Sequence, residues 1–482
     1  MDIQTEILEI RLNNSMTNTP QERRSGELFA TAVEKVLPQC DHFSDPDAGL
    51  VGVELENSLT DRSGKPLDEE TRDNFIEIAT GIGELEKLPI TVQPELGAAQ
   101  IEVNQDSKAL FQSQGLEISA VLDFFSQVDQ VIKEASHGLG AMSLNLGFHP
   151  TADLVNVPRT RKPKYRIVPE FHDSNRIPIS MRLKEDLGLN TEPDATVVAL
   201  TNSIQFNLSM QDVPTAIKAM NLMFQMTPTM LALGGNAGIA SSQNTNWSDF
   251  RNHIWEMTHR TKSGRRVFLP EEYILSPQDL FRRMARFPLI LDPQEPKSAL
   301  EIATGTNWLA AKLKFLCDSD MNLNKLLLEF RPLSLQQTPE ENAAMFLLSL
   351  GRLKFGMETD EPLFDDFDTI RVNGEIAARQ GMDSSLIAHK WVGSHWESNL
   401  LTGSEFRDIE IHHAAMGLSM TSDMQVSITR YDVIRDFLEH NIGPQNPSER
   451  LRAKLGSTWE LGNENERREH IRDVLINSNI LR

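Results

Sequence analysis

The sequence predicts an α+β fold built around one antiparallel sheet with a polar face, on three observations. Four short segments set acidic or amide residues among strand formers: Val51-Gly52-Val53-Glu54-Leu55-Glu56, Gln100-Ile101-Glu102-Val103, Ser203-Ile204-Gln205-Phe206-Asn207-Leu208 and Leu327-Leu328-Glu329-Phe330-Arg331. Side chains alternate faces along a strand, so Glu54 and Glu56 share one side while Val51, Val53 and Leu55 share the other. Longer stretches with apolar residues at helical spacing separate these segments. A hydrophobic content of 39% over 482 residues is ample for the core such a fold must bury.

Taken in order, residues 1–45 read as a peripheral segment: an apolar start, the polar stretch Asn13 to Ser25, then a helical pattern through Leu28, Ala32, Val33 and Val36. The Glu54 strand follows, and Asp68 begins an amphipathic helix expected to reach Thr80. Leu88 to Val103 returns to strand composition. Seven residues separate Glu95 from Glu102, so one unbroken strand would point them to opposite faces; a bulge or short turn at Gly97 would bring them together. A helix is expected over Leu116 to Ser136 and a strand over Ala141 to Phe148, ending in His149-Pro150 with His149 in a structural role. Asp212 and Pro214 mark the start of a helix whose Met220, Met223 and Phe224 read as core. Thr338-Pro339-Glu340-Glu341 reads as a capping box for an apolar helix through Leu350. Residues 356–482 form an acidic, then helical, C-terminal region, whose tail from Gly443 to Arg482 reads as a loop and surface helices with no legible chemistry.

A formal charge of -22 argues against sequence-independent binding of nucleic acid or anionic lipid, since both need clustered Lys and Arg. No apolar run approaches membrane-spanning length, and the N-terminus lacks the cationic and apolar parts of a signal peptide. Two cysteines, Cys40 and Cys317, allow no disulfide framework and fit a reducing compartment. The expectation is a cytoplasmic enzyme acting on small molecules, as a monomer or homodimer.

Three further features have a plain structural alternative beside a functional one. Arg159 to Arg166 is the densest basic stretch and is either a solvated loop or an anion site. Gly234 to Gly238 is a flexible turn able to approach a ligand closely, though it lacks the Lys-Ser/Thr pair of a phosphate loop. His389, His395, His412 and His413 invite a metal site, but lack companion carboxylates at ligand spacing. The acidic and amide side chains of the sheet face are better suited to hard divalent cations.

Seven short motifs in order resemble the glutamate-cysteine ligase and carboxylate-amine ligase superfamily. They are Gly52-Val53-Glu54-Leu55-Glu56, Pro94-Glu95 through Val103, Leu146 to Pro150, Pro163 to Arg166, Gln205 to Leu208, Arg251-Asn252-His253-Ile254-Trp255 and Leu328 to Arg331. The nearest branch is that of plant-type and proteobacterial glutamate-cysteine ligases. One departure is Ala232 to Gly238, which lacks the proline of the family's Ala-Leu-x-x-Asn-Ser-Pro stretch.

The resemblance implies a glutamine-synthetase-like curved antiparallel sheet with helices on its outer face, forming a catalytic domain over residues 46–355. It implies an enzyme using ATP and Mg²⁺ to join the γ-carboxylate of L-glutamate to L-cysteine through an acyl phosphate. Alternatives are the same chemistry on another amine or carboxylate, and a non-catalytic nucleotide-binding regulator. By motif position the implied metal ligands are Glu54, Glu56, Glu95, Glu102, Gln205 and Glu329. Arg331 and Glu54 are the implied catalytic residues. Lys164, Arg166 and Arg331 would contact ATP, while Arg251, Asn207 and Trp255 would contact substrate.

Overall fold

The computed structural model describes residues 19–105, 118–177, 182–420 and 428–482. The apolar start and the first part of the polar stretch from Asn13 lie outside the described residues, as do Leu116 and Glu117 of the expected third helix. Among the described residues no helix is long and apolar enough to cross a membrane.

The chain begins with α1 (Pro20–Val36), β1 (Val51–Thr60), α2 (Glu69–Leu85), the hairpin β2 (Ile90–Pro94) and β3 (Gln100–Gln105), and α3 (Ile118–Leu139). It continues through β4 (Met142–Leu144), α4 (Pro163–Asn175), β5 (Ser203–Ser209), α5 (Val213–Gly234), α6 (Phe250–His259) and α7 (Pro296–Gly305). Then come β6 (Ala311–Cys317), β7 (Leu323–Ser334), α8 (Pro339–Glu358), α9 (Phe367–Gln380), the hairpin β8 (Ser385–Val392) and β9 (His395–Thr402), and α10 (Gly403–Ser419). Helices α11 (Ile428–Asn441), α12 (Pro447–Leu455) and α13 (Glu464–Asn477) close the chain.

Local sequence accounts for the helix starts. Asp68 accepts from the Thr71 amide at 2.8 Å, Asp212 from Thr215 at 2.7 Å and Thr338 from Glu341 at 3.2 Å, each satisfying a backbone donor of a first turn. Thr338 acts alone, without the reciprocal bond of a capping box.

The main sheet runs β6-β7-β5-β1-β3-β2, every pair antiparallel, with β4 adding to β1. The four segments singled out by alternation are the four consecutive central strands. Their apolar side is sealed by α3, α5 and α8, where Phe206 packs 5.3 Å from Phe330 and 5.7 Å from Phe346 between ring centroids. This is the α+β architecture with helices on one face that the sequence predicts.

Four expectations are corrected. Helix α1 is not peripheral: Phe29, Ala32, Val33 and Val36 belong to the main core. That core also takes in Leu386, Phe406 and Ile411, so the C-terminal region packs as one body with the sheet as far as α11. The strand expected over Ala141 to Phe148 is only three residues long, because the chain leaves β1 to place His149 beneath the backbone of residues 151 and 152. The Gly234 to Gly238 turn packs against protein: a Cβ on Gly235 would meet Ser248 Oγ at 2.7 Å, and Asn236 bonds to the carbonyls of Asn145 and Leu335.

Candidate active site

The face opposite this core gathers the predicted carboxylates and amides. In register, Glu56 stands opposite Glu102, Glu54 opposite Gln205, and Glu329 opposite Asn207. The adjoining strand β6 adds two residues that sequence reasoning missed, Lys312 directly opposite Glu329 and Lys314 two positions along the same face. The alternation in Ala311-Lys312-Leu313-Lys314-Phe315 was the available signal.

The β7 side of this face is a compact ionic cluster. Glu329 is fully buried and forms ion pairs with Arg331 and Lys314, with Lys312 at 3.5 Å. Burial opposes the charge on Glu329, but the three cations together hold its carboxyl well below the usual range. Lys314 also lies 3.5 Å from Glu54. Burial alone would lower the Lys314 ammonium, yet Glu329 and Glu54 raise it, whereas burial draws the more enclosed Lys312 down to about 7. Arg331 donates to Gln205 as well as to Glu329, and Asn207 Nδ2 donates to Glu54 at 2.8 Å.

The β3 side is held more by hydrogen bonds: among the described residues no direct ion pair reaches Glu56, Glu95 or Glu102, though Arg331 and Arg251 act on Glu56 and Lys164 on Glu95 at longer range. Glu56 accepts from Ser203 at 2.5 Å and Gln205 at 2.8 Å, and Glu102 from Gln93 at 2.5 Å and Asn104 at 2.6 Å. Glu95 sits just before the tight turn joining β2 to β3, so the strand alternation restarts after it and the odd spacing to Glu102 does not separate the two. Gly97 permits that turn, since a Cβ there would lie 2.6 Å from the Ala199 carbonyl oxygen. Burial, with the charges of Glu102 and Glu56, pushes the Glu95 carboxyl up to about 7. Its hydrogen-bond donor is the Tyr165 hydroxyl at 3.2 Å.

Glu95 opens onto a cavity of about 540 Å³ bounded by Lys164, Tyr165, Trp255, His259 and Trp308. The basic stretch read as a loop or anion site is irregular over 159–162 and ends in the first turn of α4, which presents Lys164 to the cavity. Arg166 instead pairs with Glu170 at 3.1 Å and is 60% exposed. Helix α6 is fixed by Asp249, which caps it and accepts from Ser334 of β7 at 2.7 Å. Arg251, Trp255 and His259 then recur on one helix face. Arg251 is buried and donates to the carbonyls of Arg331 at 3.2 Å and Pro332 at 3.3 Å, where β7 departs from regular register. Burial lowers its guanidinium, against the pull of Glu56 and Asp249. Arg251, Trp255 and Arg331 line one small cleft.

The four histidines of the C-terminal region are not brought together as a metal site. His389 bonds to Glu361 and Gln225, each at 3.1 Å, His412 to Tyr431 at 2.7 Å, and His413 stacks on Phe355. Among the described residues no group of three or more His, Cys, Asp or Glu is arranged to hold a metal ion. The facing Glu56 and Glu102, with Glu95 beside them, nonetheless have the donor chemistry of a hard cation. Mg²⁺ needs only one or two protein carboxylates when phosphates and water complete its shell.

Solved structures resemble the fold, among them the following three. A glutamate-cysteine ligase from Francisella tularensis in complex with AMP is 11% identical, with a TM-score of 0.51 over 91% of this chain and 89% of that one. A bifunctional glutathione synthetase from Pasteurella multocida is 10% identical, with a TM-score of 0.46 over 94% of this chain and 55% of the other. The ligase PafA bound to the prokaryotic ubiquitin-like protein Pup is 11% identical, with a TM-score of 0.37 over 87% and 70% of the two chains. No curated protein matches the sequence. The family model of glutamate-cysteine ligase family 2 matches residues 50–389, which takes in every carboxylate of the sheet face and extends past residue 355 into β8. The chain belongs to the glutamate-cysteine ligase family 2.

Proposed function

We propose that the protein is an ATP-dependent carboxylate-amine ligase that joins the γ-carboxylate of L-glutamate to an amine, most simply L-cysteine. The observation that carries this reading is the facing pair Glu56 and Glu102 on the sheet, with Glu95 next to them lining a cavity that also holds Lys164. In a member of this family, such an arrangement suits a nucleotide brought in with divalent cation. The AMP in the Francisella tularensis ligase supports nucleotide binding on this fold.

In the reaction an oxygen of the substrate carboxylate attacks the γ-phosphorus of ATP, ADP departs, and an acyl phosphate forms. The amine nitrogen then attacks the acyl carbon, gives up a proton, and inorganic phosphate leaves. Arg331, oriented by Glu329 and Gln205, faces the phosphoryl group and stabilises its developing charge, an effect on the order of several kcal/mol. Lys164 meets the nucleotide phosphates. Arg251 and Trp255 border the substrate, and the Arg251 N–H groups not engaged by the β7 carbonyls meet its α-carboxylate. Glu56 and Glu102, with phosphate oxygens and water, would hold Mg²⁺, whose charge would neutralise the repulsion between carboxylate and ATP. Arg166 points away from the cavity and is left out of this assignment.

The test is ADP release from purified protein with Mg-ATP and glutamate, with and without cysteine and a panel of other amines. Release that requires glutamate and cysteine supports the full reading. Release with another amine keeps the mechanism and replaces the substrate, and turnover of an amide without nucleotide overturns it.

A further inference from the structure

A cavity of about 560 Å³ lies against the face of α6 opposite Arg251 and Trp255, with α9 and the short helix Leu183–Asp186 among its other walls. Arg182, Arg260, Arg265, Arg371 and Arg379 border it. Four carboxylates do so too, and each is already engaged. Arg265 pairs with Glu256 at 3.1 Å, Arg371 with Asp368 and Arg379 with Glu375 at 3.3 Å, while His253 Nε2 lies 2.8 Å from Asp186. Burial lowers the His253 ring pKa despite Asp186, which leaves the ring neutral at pH 7 and five guanidiniums against four carboxylates. Arg182 and Arg260 are the two without a direct ion-pair partner among the described residues, and Glu256 and Glu271 act on Arg260 at longer range.

Local sequence sets this surplus. Gly264, at φ 114°, closes a tight turn in which its amide donates to the Thr261 carbonyl at 3.1 Å, so Arg260 and Arg265 flank the turn at neighbouring positions. Helix α9 adds Arg371. Nε of Arg265 and Nε of Arg371 are buried with no hydrogen-bond partner among the described residues. A buried donor left unmade is costly, and the planar guanidinium fork matches carboxylate and phosphate oxygens. We propose that the cavity is a binding site for a small anion with two or more carboxylate or phosphate groups, held by Arg182 and Arg260 with Arg265 and Arg371 completing the donors. The site goes beyond the ligase reading, because none of these four residues is assigned to nucleotide, metal or substrate. Asn252 and Phe268 line both this cavity and the small cleft of Arg251 and Arg331, so the two share one wall.

The experiment is isothermal titration calorimetry of the full chain, without nucleotide or divalent cation, against citrate and against pyrophosphate. Sodium chloride at matched ionic strength is the blank, and folding is checked by thermal melting. A saturable component is expected for at least one probe: citrate alone points to a carboxylate ligand, pyrophosphate alone to a phosphorylated one. Arg260→Gln is expected to weaken that component roughly tenfold or more, and Lys164→Met, in the active-site cavity, to leave it unchanged. Binding indifferent to Arg260→Gln, or absent for both probes, overturns the proposal. Should Arg260→Gln fail to fold, Arg182→Gln, at an exposed position, decides by the same criterion.

Discussion

Glu56 and Glu102 stand directly opposite one another on neighbouring strands, and among the described residues neither has a direct ion-pair partner. Like charges placed so are destabilising, roughly 0.2–1 kcal/mol for a cross-strand pair. Glu102→Gln is therefore expected to raise unfolding stability by about that amount while reducing ADP formation at least 100-fold. Denaturant unfolding and a coupled ADP assay check both halves. A variant of unchanged stability and undiminished turnover would count against a ligand-binding role for the pair.

Glu329 sits at the centre of three cations, and this alters what its substitution does. From the sequence alone, Glu329→Gln and Glu54→Gln are both expected to stop turnover and leave the fold intact. With Lys312, Lys314 and Arg331 gathered on one buried carboxylate, Glu329→Gln leaves their charges uncompensated. The expected cost is about 3–5 kcal/mol, read from the denaturation midpoint. Glu54→Gln, at the edge of the cluster, should lose far less.

Arg251 has two tasks that one variant can separate. Its bonds to the Arg331 and Pro332 carbonyls brace the irregular part of β7. Arg251→Ala is expected to cost about 1–3 kcal/mol from those unpaired acceptors and to raise the KM for the carboxylate substrate. An effect on the amine KM alone would refute contact with the carboxylate.

His149 gives the fold a pH dependence on the acid side. Its Nδ1 accepts from the Ala152 amide at 3.1 Å, which needs the neutral ring. Burial, helped by Arg468, draws its pKa down from 6.5 to about 4. Between those values the unfolded chain binds the proton and the folded chain does not, so stability is lost as pH falls from about 6.5 to 4. The linked loss is about 3 kcal/mol. Unfolding of His149→Gln measured across that range should show a flatter dependence, and an unaltered slope would assign it to other groups.

The central strands were legible because each keeps period-two alternation and because Glu54, Gln205 and Glu329 lie among β-branched or aromatic neighbours. Asp68 and Asp212 were legible as caps for a local reason, a side chain meeting an amide three residues on. What escaped depends on distant partners. Lys312 and Lys314 read as a solvated edge until β6 is paired with β7. Lys164 and Arg166, two residues apart, part company only because α4 is helical there, which turns one toward the cavity and the other toward Glu170. Gly235 looked like a ligand loop because nothing nearby in sequence announces Ser248.

The central claim is that a substrate carboxylate is activated by phosphoryl transfer, and the most direct measurement follows oxygen. Glutamate labelled with ¹⁸O in its γ-carboxylate is incubated with the protein, Mg-ATP and the active amine, and the released phosphate is analysed by mass spectrometry. The account expects one ¹⁸O atom in each phosphate formed. Phosphate carrying no label, with amide still produced, would contradict the acyl phosphate and with it the roles given to Arg331 and the carboxylates of the sheet face.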